Sequence, residues 1–397
     1  MAELRQNTWT LGEWYDQNVA GTAGNYTTSA GTLFTWGQNG YGTLGYGSGQ
    51  PYNQPTYATS APQQIPGTYW KYAKFGYYWG TATRSDGTIW TWGRPDSGVL
   101  GHNNQTQYKS PKQVGSDTDW DVCEAGYESC IALKTNGTMW GWGQAPTHGG
   151  GMDEAQSSPI QIGSGSDWAL PIGNGNVMMG VKTNGTLWAW GSNQCGELGQ
   201  NDRTPSKTPI QIPGTTWSTD INKWANRTHL SEEQITAVKT DGTLWVWGGN
   251  TYGQLGLNQG NAQAFAYARS SPTQIPGTTW RNCGGGGTWN MATKTDGTLW
   301  IWGTNDGGSL GKELPQYSHR SSPVQIPGTT WNVCSSGSGQ GNACVRTDGT
   351  MWAWGYNTDG QLGISNKSPQ DSPVQVPGTG WTDKVVNGGS SFARKAL

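Results

Sequence analysis

One phrase, Asp/Asn-Gly-Thr-Leu-Trp-x-Trp-Gly, recurs from end to end of this chain and limits its fold more than any other feature. Its turn glycine falls at Gly31 (in the variant AGTLFTWG), Gly87, Gly137, Gly185, Gly242, Gly297 and Gly349, at intervals of 56, 50, 48, 57, 55 and 52 residues. A second phrase, Ser/Thr-Pro-x-Gln-Ile/Val-(Pro)-Gly-x-x-Trp, follows each copy and ends at Trp70, Trp120, Trp168, Trp217, Trp280, Trp331 and Trp381. Together the phrases hold 20 of the 25 tryptophans, so the tryptophan surplus belongs to the architecture before it belongs to any site. Self-similarity at this period marks a repeat fold, in which each unit buries its apolar faces against its neighbours.

The repeat reads as β structure. In ITAVKTDGTLWVWG two alternating segments flank Asp241-Gly242, the strongest short-range hairpin signal, and predict a type I′ turn. Thr243, Trp245 and Trp247 point to one side of the following strand, Leu244 and Val246 to the other. Both sides are apolar or amphipathic, so both sheet faces must be covered. Four short strands per repeat, seven times over, predict an all-β, seven-bladed β-propeller with about 48–57 residues per repeat. A β-solenoid fits less well, because its repeats are shorter and lack a hairpin in each unit. If the repeat tryptophans form the core, Trp300→Ala should cost about 3–5 kcal/mol.

The ends carry one half-repeat too many. Trp70 to Gly87 is 17 residues, as are Trp120 to Gly137 and Trp280 to Gly297, and Trp14 to Gly31 is also 17. At the other end, WTDKVVNGGSSFARKAL starts at Trp381 and stops one residue before a turn glycine would fall. We therefore divide the chain into residues 1–24, an N-terminal arm or first half-repeat, and residues 25–397, the propeller, closed by 381–394 or by 14–30. Ring-closure logic leans towards the C-terminal segment and leaves the N-terminal arm available for docking.

Composition narrows the function. Charged residues make up 13% of the chain, with 24 Lys+Arg against 26 Asp+Glu and a net charge of −2, where an average chain carries about 25%. This balance argues against a polybasic nucleic-acid binder, and the 11% aromatic content argues against disorder. No apolar run approaches the ~20 residues of a membrane helix. The opening MAELRQNTWTLGEWYDQ lacks the apolar core of a secretory signal. We expect no membrane insertion, reduced thiols, and a cytoplasmic location unless the protein is carried in a particle.

The phrases TDGTLWVWGGNTYGQLG (240–256) and SPTQIPGTTW (271–280), repeated as GYNTDGQLG (355–363) and GSNQCGELG (191–199), resemble the regulator of chromosome condensation repeat family over nearly the whole chain. The resemblance implies a seven-bladed β-propeller. It leaves the function open, because that family includes nucleotide exchange on a small GTPase, ultraviolet sensing and inhibition of β-lactamases. MAELRQNTW is not the basic arm of a chromatin-bound exchange factor, and the Gly-Trp-Arg-His-Thr phrase of the photoreceptor is absent. The opening WTLGEWYDQNVAGTAG and the Gln-Ile-Pro-Gly-Thr-Thr-Trp wording are similar to repeat proteins encoded by marine bacteriophages. That likeness implies a component of the phage particle or of its contact with the host.

No catalytic, cofactor or metal site is expected. His102, His148, His229 and His319 fall at non-equivalent positions, read as solvated loop residues, and no Cys/His spacing matches zinc. Asp86, Asp241, Asp296 and Asp348 recur before turn glycines, but Asn136 and Asn184 fill the same place, so the hairpin explains them. The glycines at 284–287 lack the Lys-Ser/Thr and helix of a phosphate loop. Cys123, Cys283 and Cys334 each follow a repeat Trp by three residues and read as core. Cys123/Cys130 and Cys334/Cys344 face each other in principle, with free thiols the expected state.

Candidate partner contacts lie on the irregular connections 46–60, 222–230 and 257–269. They carry Tyr46, Tyr52, Tyr57, Trp224, Phe265 and Tyr267 among Asn, Gln, Ser and Gly, a composition suited to binding protein or glycan, or to folding back on the blade. Trp9 joins them. Trp79 and Trp289 also fall outside the two phrases, whereas Trp14 fits the half-repeat by spacing. The expected function is a non-enzymatic structural or recognition protein of a bacteriophage particle (tail, fibre or capsid-associated), with other particle proteins or a host-surface molecule, glycan included, as partner. A free module that inhibits or regulates one protein is the second reading, and an enzyme working from the central face the third.

Overall fold

The computed structural model describes residues 33–395, apart from 38, 48–58, 218–227, 231–232, 261–266, 316, 337–340, 359, 380 and 388–389. Within these residues lie seven four-stranded antiparallel sheets, the blades of a β-propeller. Blade two shows the plan: Trp70–Phe75, Trp79–Arg84, Ile89–Gly93 and Tyr108–Gln113 neighbour one another in space as in sequence. Blades three to seven repeat it at 120–161, 168–211, 228–275, 280–326 and 331–376. First strands of successive blades touch from blade two round to blade one, so they form the inner ring and the fourth strands the rim.

Blade one is assembled from distant parts of the chain. Its order runs Thr59–Gln64, Phe34–Gly37, Ser390–Lys395, Trp381–Asn387, with Trp36 opposite Ser391 and Gly37 opposite Ser390. The C-terminal segment thus occupies the place beside Phe34–Gly37. The rival half-repeat 14–30, the arm 1–24 and Gly31 lie outside the described residues.

The hairpins are not the expected type I′ turns. Gly87, Gly137, Gly185, Gly242, Gly297 and Gly349 have φ between +76° and +81°, but the Asp or Asn before each is not left-handed. In blade five Gly242 N–H donates to the Lys239 carbonyl at 3.0 Å, and Lys239 N–H to the Thr243 carbonyl at 2.9 Å. This is a three-residue loop, a type I turn closed by a left-handed glycine. Its cause is the Asp241 carboxylate, which accepts the Thr243 N–H at 2.9 Å and the Thr243 hydroxyl at 2.6 Å, locking the turn locally.

Alternation places Leu244 and Val246 fully inside. On the other strand face the two tryptophans of each pair differ. The second, at Trp92, Trp142, Trp190, Trp247, Trp302 and Trp354, is wholly buried, whereas the first is half-buried near the hairpin end. The tryptophans are therefore not one uniform core set.

Each wholly buried indole reaches into the preceding blade. Trp92 Nε1 donates to the Thr43 carbonyl at 2.7 Å, Trp142 to Val99 at 2.8 Å and Trp190 to Thr147 at 2.9 Å. Trp247 donates to Glu197 at 2.7 Å, Trp302 to Gln254 at 2.8 Å and Trp354 to Ser309 at 2.8 Å. The residue after each acceptor is itself buried: Leu44, Leu100, Leu198, Leu255 and Leu310, with His148 in that place in blade three. Asn side chains pin these loops, as where Asn250 Oδ1 accepts the Leu255 N–H at 3.0 Å. Gly256, at φ +67°, has to lack a side chain, since a Cβ there would lie 2.8 Å from Trp302 Nε1.

An indole N–H buried without a partner would cost about 1–3 kcal/mol. Trp247→Phe, which keeps a ring but removes the donor, is expected to lower the unfolding free energy by about that amount, and Trp247→Ala by about 3–5 kcal/mol. Trp245→Phe, at the half-buried position, should cost less than Trp247→Phe. Urea midpoints measure the difference, and equal midpoints for the two Phe variants would contradict the assignment.

Candidate functional site

Because the strands alternate in direction, the Asp/Asn-Gly hairpins and Pro-Gly-x-x-Trp connections emerge on one face of the ring. The loops joining first to second and third to fourth strands emerge on the other. The hairpin face is uniform. In blade five the Trp245 indole donates to Thr243 Oγ1 at 2.8 Å, and that hydroxyl donates onward to Asp241. The Lys239 ammonium sits between two rings, 4.8 Å from Trp217 and 4.5 Å from Trp245. Arg84, Lys134, Lys182, Lys294 and Arg346 repeat this sandwich. Sequence reasoning missed it, although a basic residue stands three places before every turn glycine from Gly87 onward. An arrangement present in every such blade is architecture, and a site should depart from the repeat.

Of the aromatics expected at partner contacts, Tyr46 is half-buried, with its hydroxyl accepting a bond from Asn39 Nδ2 at 3.0 Å. Tyr267 is exposed. Tyr52, Tyr57, Trp224, Phe265, Trp9 and Trp14 lie outside the described residues. Trp79 and Trp289 are core residues, their indoles bonded at 2.7 Å to the Tyr127 carbonyl and to Asn342 Oδ1.

Two further expectations are corrected. His148 is buried in the place of a seam leucine, with Nε2 3.1 Å from the Glu154 carbonyl, and burial lowers its pKa. His102 is likewise not simply solvated, because burial and then Lys112 push its pKa to about 4. Cys334 and Cys344 are joined in a disulfide because the register sets them directly opposite. Cys123 faces Ala132 and Cys130 faces Ala125, so these two stay free. Among the described residues, no group of three or more His, Cys, Asp or Glu is placed to hold a metal ion.

On the inner ring, Glu124 is wholly buried yet fully engaged. It accepts the Tyr72 hydroxyl and, at 3.4 Å each, the Lys74 ammonium and the Gly173 N–H. Burial raises its pKa despite Lys74. The carboxylate ties the first strands of blades two, three and four together and has the character of a clamp.

The loop face breaks the repeat in one sector. The Arg94 guanidinium lies 5.7 Å from the Tyr41 ring and 5.5 Å from the Tyr77 ring. It pairs with Asp96 and approaches Glu128 at 3.7 Å, and the Ser97 hydroxyl donates to Glu128 at 2.8 Å. Tyr77 packs on Tyr78 and Tyr127, with centroids 4.3 and 5.2 Å apart, and Tyr78 on Tyr41 at 5.8 Å. Three members are left-handed without being glycine: Tyr41 (φ +58°), Tyr78 (+64°) and Ser97 (+55°). The sequence signal was FGYYWG (75–80) and AGYESC (125–130), where blade six has GGGTWN (285–290).

These features define a repeat-built propeller. The Regulator of chromosome condensation (RCC1) repeat model matches residues 30–79, 86–133, 184–221, 241–292 and 348–391, more than half of the chain, and the chain belongs to that family. RCC1 domain-containing protein RUG3, mitochondrial, of Arabidopsis thaliana is 27% identical over 206 residues, 50% of this chain and 44% of that protein. Ultraviolet-B receptor UVR8 of the same plant is 29% identical over 176 residues, 43% of this chain and 37% of the receptor. The chain thus matches less than half the length of these relatives. Prp20p of Saccharomyces cerevisiae, described with its binding to Gsp1p and histones, superposes with a TM-score of 0.77 at 18% identity, covering 94% of this chain and 93% of its own. Human WBSCR16 gives 0.75 at 18%, covering 92% and 100%. At such identity the likeness is one of fold.

The hairpin aspartates carry a pH prediction. Donation from the Thr hydroxyl, then from the Thr N–H, holds Asp241, Asp296 and Asp348 below the ordinary value of 3.8. A lowered folded pKa stabilises above the unfolded value, and that contribution is lost as pH falls through the folded value. Asn136 and Asn184 accept the same Thr bonds without titrating. The triple variant Asp241→Asn/Asp296→Asn/Asp348→Asn should melt near wild type at neutral pH and lose less Tm between about pH 5 and about pH 2. Parallel Tm curves would refute this role.

Proposed function

We propose that this propeller is a non-enzymatic recognition module that holds a protein partner against its loop face. One observation carries the reading: the hairpin face repeats the same sandwich blade after blade, while the exposed aromatics of the loop face, Tyr77, Tyr252, Tyr267 and Tyr317, fall at positions that vary from blade to blade. Rigid scaffolds present function on such variable connections. The names of the relatives, a receptor among them, and Prp20p's binding to Gsp1p and histones, support the same class of activity.

In its finer form the proposal is a structural component of a bacteriophage particle, with other particle proteins or a host-surface molecule as partner. The opening WTLGEWYDQNVAGTAG, the extra incoming half-repeat 14–30 and the 13% charged content support it. The free regulator of a single protein is the alternative. It uses the same face and differs in where the protein is found.

A photo-cross-linking amino acid at Tyr77 or Tyr252 (loop face) and at Thr240 (hairpin face) tests the class, with mass spectrometry of purified particles testing the finer form. Adducts from the loop-face positions alone are expected, together with a fixed copy number in the particle. Adducts confined to Thr240 would overturn the loop-face reading. Absence from particles, with one stoichiometric partner recovered, would replace the particle reading by the regulator.

A further inference from the structure

Resting on the recognition reading, we infer that the tyrosine–arginine cluster of blades one to three is the partner contact, and that it takes a basic side chain, Lys or Arg, of a protein partner. The inference starts from a break in symmetry. Where blade two carries Tyr77-Tyr78 and blade three Tyr127-Glu128, blades four and six carry Gly175-Asn176 and Gly287-Thr288. At this loop position the tyrosines of blades two and three thus replace the Gly-Asn and Gly-Thr of blades four and six.

The cluster is rigid before any partner arrives. The Trp79 indole and the Tyr77 N–H both donate to the Tyr127 carbonyl, at 2.7 and 3.3 Å, locking the loops of blades two and three together. Tyr78 is left-handed, whereas its counterparts Glu128, Asn176 and Thr288 are not. A bulky residue keeps such a backbone only where its surroundings over-determine it, and such residues gather at ligand clamps. Tyrosine offers a large contact area with little side-chain entropy to lose, which makes it a frequent anchor of protein interfaces.

Charge selects the partner's chemistry. The one guanidinium, Arg94, is committed to Asp96 and Glu128, which leaves the cluster one negative charge in excess. The Asp96 side chain is 44% exposed and the Tyr77 residue 42%, so a carboxylate edge and an aromatic ring are both open around the Arg94 that each contacts. A cation is attracted by both. An incoming carboxylate would meet two like charges, and the Arg94 guanidinium between them is already paired with both. A neutral glycan would use the rings but not the carboxylates.

The test uses fluorescence anisotropy on the full chain, with three labelled octapeptides that alternate Gly with Arg, with Glu or with Ser. The Gly-Arg peptide is expected to bind, and more weakly at higher salt. Tyr77→Ala, Asp96→Asn and Glu128→Gln should each weaken it at least about tenfold, with Tyr77→Phe retaining it. Tyr317→Ala, on a remote and exposed residue, should change nothing. Thermal melts confirm that each variant is folded. Equal affinity of Gly-Arg for wild type and Tyr77→Ala, or preference for Gly-Glu, would overturn the inference. So would a neutral oligosaccharide whose binding needs Tyr77 but not Glu128. If cross-links still map to the loop face while these variants bind like wild type, the recognition reading stands and this assignment falls.

Discussion

An indole N–H bonded to a backbone carbonyl of the preceding blade is the contact on which the ring depends. A four-stranded sheet with two apolar faces cannot stand alone in water, and its neighbours have to register against it. The acceptors Thr43, Val99, Glu197, Gln254 and Ser309 each lie seven residues after a position of the tryptophan series, at 36, 92, 190, 247 and 302. Blade three shortens the interval to five, from Trp142 to Thr147, and seats His148 where the others seat leucine. Blade to blade, the series therefore links donor to acceptor. Repeat lengths vary because only the short Trp-to-acceptor interval is tied to the seam, leaving later loops free to lengthen.

The two faces divide the remaining chemistry. On the hairpin face each described sandwich spends one cation between two indoles, and each turn spends one Asp or Asn on its own Thr. Six of the 24 Lys and Arg are used in this way. A quarter of the basic residues is thus committed to the fold. The loop face lacks this uniformity. Its departures from the repeat, Tyr77 and Tyr78 above all, are what a partner could distinguish.

How much was legible in the sequence follows from which interactions are periodic. The blades, hairpin positions and seam tryptophans were readable because each recurs at fixed spacing. The turn type was not, because Asp-Gly is compatible with both hairpin loops and the Asp241–Thr243 bonds decide between them. The basic sandwiches were just as periodic, but lysines read singly look like solvated charges. The Cys334–Cys344 disulfide and the free Cys123 and Cys130 depended on strand register, which spacing alone leaves open by one residue. The tyrosine–arginine cluster was hidden for a different reason. Tyr41, Tyr77, Arg94 and Tyr127 come from three blades and meet only when the ring forms.

Hydrogen exchange at the tryptophan indoles tests the seam most directly, because it reads each donor separately. With 15N-labelled protein, the indole N–H groups of Trp92, Trp142, Trp190, Trp247, Trp302 and Trp354 should form one slow class that exchanges only with global opening. The half-buried Trp90, Trp140, Trp188, Trp245, Trp300 and Trp352 should exchange faster, through local opening of the hairpin ends. Two classes in that order are the predicted result. A single rate for all twelve, or faster exchange at the seam positions, would contradict the claim that these bonds hold the blades in register.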